Sequence, residues 1–94
     1  MAILTLLDGV SATGAGTAVD VGSKSNRVHP EGWAQFAVGT GTVALEGSVD
    51  KTTWISLSSK TANGGADVAF VPRYVRGNCT AHTSGTHTLK IEVL

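Results

Sequence analysis

Apolar and polar residues alternate along much of this chain, and the alternation predicts short strands. Near the C-terminus Leu89, Ile91 and Val93 fall on one side and Thr88, Lys90 and Glu92 on the other. That two-residue period predicts a half-buried strand over residues 88–94. Ala34, Phe36 and Val38 oppose Trp33, Gln35 and Ala37 in the same way, which predicts a strand over 33–38. The following Gly39-Thr40-Gly41 reads as a turn, making 33–38 and 42–48 sequential antiparallel neighbours. Val43 and Leu45, then Ile55 and Leu57, flank the small polar stretch Ser48-Val49-Asp50-Lys51-Thr52. Residues 43–57 therefore read as a hairpin, with Trp54 as the plug beneath it, Asp50 bonding backbone amides in the turn and Glu46 facing outward.

The remaining segments follow the same logic. Residues 2–7 form a first strand ended by Asp8-Gly9. Its run of Ile3, Leu4, Leu6 and Leu7 is denser than clean alternation, which suits a strand covered on both sides or paired with a neighbouring subunit. Residues 11–16 are small and flexible, 17–21 form a short strand, and 22–32 form a polar loop around a short strand at 27–29. Residues 58–67 read as a loop with a permissive Asn63-Gly64-Gly65, and 68–71 as a strand stopped by Pro72. A strand over 73–80 and a turn over 82–86 precede the last strand. Seven or eight short strands with close turn signals predict an all-β fold, an antiparallel β-sandwich or jelly-roll-like small barrel, in one domain spanning 1–94. The connections are too short for helical crossovers, which excludes a parallel sheet.

Composition supports this reading. Of 94 residues, 12 are glycine, 12 threonine and 11 valine, a β-rich and turn-rich mixture. The longest stretch without Gly or Pro, 48–63, contains the hairpin turn, so no long helix is expected. Seven basic and seven acidic residues cancel, and no basic cluster exceeds Arg73 and Arg76, which argues against nucleic acid as a partner. The single Cys79 cannot form an internal disulfide. The N-terminus lacks a basic leader with an apolar run of signal-peptide length, so neither standard export nor a membrane partner is expected.

The candidate chemistry is thin. His29, His82 or His87 could enter a hydrolase triad, but no Gly-x-Ser-x-Gly elbow is present. His82 and His87 are five apart with no third ligand nearby, a poor zinc spacing, and read as solvated side chains flanking a turn. Cys79 reads as an inert, partly buried thiol. Tyr74 and Arg76 share a strand face, where the guanidinium can lie on an aromatic ring or pair with Glu46 or Glu92. Trp33 lies opposite Phe36 and can serve at an interface or in sugar binding. No catalytic residue, cofactor or metal is expected, and the chain reads as a non-enzyme.

Gly41-Thr42-Val43, Leu45-Glu46-Gly47-Ser48-Val49-Asp50, Thr53-Trp54, Arg73-Tyr74-Val75-Arg76, Asn78 and Gly85-Thr86-His87-Thr88-Leu89-Lys90-Ile91 together resemble small β-sandwich virion proteins of tailed bacteriophages. The resemblance covers roughly the C-terminal two thirds and leaves residues 1–32 unmatched. Similar hairpins also occur in discoidin-like sugar- and lipid-binding domains, so the motif speaks for architecture before role. Within virions it implies a capsid decoration (cement) protein, made in the bacterial host cytoplasm and placed on the capsid surface as a homo-oligomer, with a trimer favoured. The major capsid protein is then the implied partner. Ile3, Leu4, Leu6, Arg27, His29 and Trp33 are the expected subunit or capsid contacts. Another head, neck or tail component and a carbohydrate-binding module are the alternatives.

Overall fold

The computed structural model describes residues 2–23 and 30–93, and within them the backbone bonds mostly as antiparallel sheet. In chain order the elements are β1 (Ala2–Val10), β2 (Gly14–Ala15), β3 (Val19–Asp20), a 3₁₀ turn (Val21–Ser23), β4 (Gly32–Ser48), β5 (Ile55–Lys60), β6 (Gly64–Val68) and β7 (Tyr74–Val93). No α-helix occurs among the described residues.

The two longest strands form the spine. β4 and β7 pair from Gly32 opposite Val93 to Ser48 opposite Tyr74. The outer edge of β4 carries β5 against 43–47 and then β6 against 32–36. The outer edge of β7 carries β1 against 87–93, then β2 at Asn78 and Cys79, then β3 at Tyr74 and Val75. The described residues thus form four antiparallel ribbons, two continuous and central, two broken and peripheral.

Such long strands cannot stay straight here. The 20 residues of β7, at about 3.3 Å each, would extend roughly 66 Å. The longest dimension of the molecule is 38 Å. The ladder bends where its register shifts, between Val38 opposite His87 and Val43 opposite Cys79. Across that interval β4 advances five residues while β7 advances eight, so β7 holds the extra residues in bulges. The strands close up tightly at this point. A Cβ on Gly39 would sit 2.7 Å from the Ser84 carbonyl oxygen, and Gly85 has φ of 80°, a conformation that side chains disfavour.

The bend folds the sheet onto itself and makes a sandwich. Val75, Gly77 and Cys79 of β7, with Val43 and Leu45 of β4, form one inner face. Leu89, Ile91 and Val93, with Ala34 and Phe36, form the other. The layers meet at Gly77, where an added Cβ would lie 2.5 Å from Leu7 Cγ and 3.2 Å from Leu89 Cδ2. Leu6 and Leu7 complete this core from β1.

Several expectations stand and several change. The all-β antiparallel class, the hairpin turn after Ser48 and the inward set Leu89, Ile91 and Val93 are as predicted. The turns at 39–41 and 82–86 are bends inside continuous strands, so 33–38 and 42–48 are halves of β4 and do not pair with one another. Two of the strands are accordingly long. The loop at 58–67 is largely strand, since β5 runs to Lys60 and β6 starts at Gly64; of 68–71 only Val68 is in a strand. The first strand continues through Asp8-Gly9 to Val10, and 17–21 contains the two-residue β3 followed by the 3₁₀ turn. The short strand at 27–29 lies outside the described residues.

Gly77→Ala should lower stability by about 1–3 kcal/mol through overpacking against Leu7 and Leu89. A melting temperature reduced by roughly 5–20 °C would register it.

Candidate functional site

The outer face of the layer formed by β5, the first half of β7 and the second half of β4 carries the densest polar contacts. Glu46 and Arg76 are direct cross-strand partners, so their side chains leave the sheet together. Glu46 Oε1 accepts from Arg76 Nε at 2.7 Å and Oε2 accepts from Asn78 Nδ2 at 3.1 Å. The Arg76 guanidinium lies 4.3 Å from the Trp54 ring centroid. Trp54 is therefore not the core plug expected from the sequence. It is half-buried on the outer face, because the arginine offers its ring a flat cationic surface. Arg73 and Lys51 approach Tyr74 at 5.3 and 5.6 Å, and Arg73 also pairs with Asp20 at 3.3 Å. The hydrogen bond that Arg73 donates to Asp20, and the charge of that carboxylate, raise the Arg73 pKa further above its already basic range.

The hairpin turn between β4 and β5 is held by Ser48 and Asp50. Ser48 Oγ accepts from the amides of Asp50 and Lys51, at 3.2 and 3.0 Å, and donates to Asp50 Oδ1 at 2.9 Å. Asp50 Oδ1 also accepts from the amides of Thr52 and Thr53, at 2.9 and 3.0 Å. Those amides, with the Ser48 hydroxyl, hold the Asp50 carboxyl below its ordinary value. Lys51 takes φ of 63°, a left-handed position that the Ser48 and Asp50 bonds enclose.

Histidines 82 and 87 are not solvated turn residues. His87 is fully buried, and its Nδ1 accepts from the Gly39 amide at 3.2 Å. In the neutral pair its proton then sits on Nε2, which donates to His82 Nδ1 at 2.9 Å. The two rings thus fasten the bend, with no serine or cysteine bonded to either among the described residues. Cys79 is buried, its thiol donating to the Ala81 carbonyl at 3.3 Å. Among the described residues no three His, Cys, Asp or Glu side chains are grouped to hold a metal ion.

The expected contact residues separate into three groups. Ile3 is 67% and Trp33 46% exposed, and both are register partners of Glu92, so they lie in one cross-strand row on the outer sheet face. Asp67 continues the row on the other side of Trp33. Glu31, Asp67 and Glu92 surround Trp33 in a depression of about 180 Å³. Leu4 packs partly against the core, and Leu6 is buried at 5% exposure. The register shift between Thr5 and Leu7 makes Leu6 the extra residue of a bulge, which turns it inward beside Leu7. Arg27 and His29 lie outside the described residues.

A second apolar surface was not anticipated. Val49, Ile55, Leu57, Phe70 and Pro72 line a groove of about 290 Å³ along β5. The alternation around the hairpin placed Ile55 and Leu57 with Val43 and Leu45, but β5 is an edge strand, so its inner positions open onto solvent. The large apolar Phe70 beside the strand-stopping Pro72 was the signal available in the chain. Comparison with protein families, curated proteins and solved structures finds no match for this chain.

Three outcomes test this geometry. Glu46→Ala should cost about 1–3 kcal/mol by leaving Arg76 and Asn78 unpaired in a half-buried setting. A double-mutant cycle with Arg76→Ala should return a coupling of about 0.5–3 kcal/mol. For Asp50, the depressed folded pKa means that its stabilisation of the hairpin is present above the unfolded value of about 4 and lost as pH falls through the folded one. An NMR titration of the Asp50 carboxyl should therefore give a midpoint below 3.8.

Proposed function

We propose that this chain is a non-enzymatic structural protein of a tailed-phage virion, a capsid decoration protein that binds the head surface as a homo-oligomer and stabilises the shell. The resemblance of the hairpin and of the Arg73-Tyr74-Val75-Arg76 strand supports the virion setting. The observation that carries the binding role is the row Ile3, Glu92, Trp33 and Asp67 across four paired strands. It presents two large apolar side chains and two carboxylates on one rigid face, a composition suited to docking on another protein surface. Held by sheet pairing on both flanks, Trp33 can serve as an anchor with little further ordering cost.

One observation favours a second reading. An exposed Trp33 beside Glu31, Asp67 and Glu92 in a shallow depression also offers an apolar platform with polar neighbours for a sugar ring, as in a carbohydrate-binding module.

Cosedimentation with heads assembled from the major capsid protein of the same genome tests the first reading. The wild-type chain should pellet with the heads and raise their resistance to heat, and Trp33→Ala should weaken binding about thirtyfold or more. Failure of the wild-type chain to pellet overturns the proposal. Quenching of Trp33 fluorescence by soluble glycans, with no binding to heads, would favour the second.

A further inference from the structure

We propose that the Trp33 face of the sheet receives an arginine side chain from the protein surface on which this chain docks. The inference rests on the docking role given above and names the chemistry that role requires of the partner. Trp33 is 46% exposed, and its ring lies across β6: a Cβ added to Gly65 would collide with Trp33 Cζ2 and stand 2.8 Å from Cε2 and Cη2. The glycine lets the indole rest against the strand, so β6 backs the ring and its open surface turns outward. An indole held in this way is a flat, electron-rich platform, and beyond apolar contact such a surface selects a cation.

The charges around the ring select the same ligand. Trp33 pairs with Glu92 on one side and Asp67 on the other, so two carboxylates flank it from neighbouring strands whose backbones are roughly 10 Å apart. Glu31 also lines the depression. Neither of the ion pairs formed among the described residues involves Glu31, Asp67 or Glu92. Lys90 stands in the next outward row, opposite Gln35, and does not line the depression. A chain with no net charge thus keeps three acidic side chains around one exposed aromatic ring. That field repels an acidic partner, gives a neutral one no electrostatic gain and attracts a basic one.

The other layer of the sandwich shows what completes such a set. There the Arg76 guanidinium lies 4.3 Å from the Trp54 ring centroid while its Nε donates to Glu46 at 2.7 Å. Trp33 has the same two chemical components, an indole and carboxylates beside it, but among the described residues no guanidinium lies over its ring. Arginine fits this setting better than lysine. Its planar fork can stack on the indole while its N–H groups reach carboxylates at both edges, whereas an ammonium is a single, more strongly hydrated point of charge.

The test is an NMR titration of the full chain, following the indole N–H signals of Trp33 and Trp54 as acetyl-Gly-Arg-Gly-amide is added. The same peptide carrying citrulline, a neutral isostere of arginine, and the neutral sugar maltotriose are titrated in parallel. The Trp33 signal should shift saturably with the arginine peptide and bind the citrulline peptide about tenfold more weakly or less. Trp54, whose ring Arg76 already covers, should stay in place. Asp67→Asn combined with Glu92→Gln should weaken arginine binding about tenfold, and added salt should weaken it in the wild-type chain. An unmoved Trp33 signal, an equal response to arginine and citrulline, or a response to maltotriose alone overturns the inference. Cosedimentation separates the two proposals. A chain that pellets with heads while Trp33 ignores the arginine peptide keeps its docking role without the arginine, whereas arginine binding with no binding to heads keeps the site and overturns the virion setting.

Discussion

The β4–β7 ladder is the constraint on which the rest of the structure depends. Among the described residues every other strand pairs with one of these two, and neither peripheral ribbon is continuous. Because the ladder is longer than the molecule, it bends, and the bend brings the two halves of each strand face to face. The core of Leu7, Leu45, Leu89 and Val75 exists because one sheet folds over. Bulges on β7 supply the extra path, and Gly39 and Gly85 allow the strands to close where side chains would collide. Buried His87, bonded to the Gly39 amide, ties the two strands together at this point.

The same topology distributes the surfaces. A sheet folded from two central strands leaves its peripheral ribbons with open outer edges, and apolar residues on an edge cannot be covered from both sides. Ile55 and Leu57 on β5 are exposed for that reason, although their spacing matches core positions. The outer faces behave differently because they are flanked on both sides. Glu46, Arg76, Asn78 and Trp54 saturate one another on one layer, while Trp33 on the other stands among carboxylates with nearly half of its surface exposed. Exposed apolar surface and self-contained polar surface thus follow from position in the sheet more than from residue type.

Local sequence signals were sufficient wherever the governing interaction was local. Ser48 and Asp50 specify their turn through bonds spanning two or three residues, and the final strand shows its two faces by plain alternation. They failed where a residue's role depended on a distant partner. Gly39-Thr40-Gly41 looks the same in a turn as in a bend, and only pairing with 81–84 of β7 distinguishes the two. Trp54 looks like core until Arg76 supplies a surface for its ring outside it. Leu6 and Leu7 are adjacent in a run too dense for alternation, and only the bulge opposite Leu89 and Lys90 shows how both can turn inward.

What the sequence determined by itself is the class and the chemistry of short range: antiparallel β structure from the two-residue period and the glycine-rich punctuation, the hairpin after Ser48, and the outward placement of Glu46. The tertiary structure alone decided that two strands run unbroken through their glycines, that the sheet folds into a sandwich, and that exposed apolar surface gathers at β5 and around Trp33. The physical reason is the same in each case. Alternation reports which side of a strand faces inward, but the depth of that side is set by which strands lie at the sheet edge, and that depends on pairings between residues far apart in the chain.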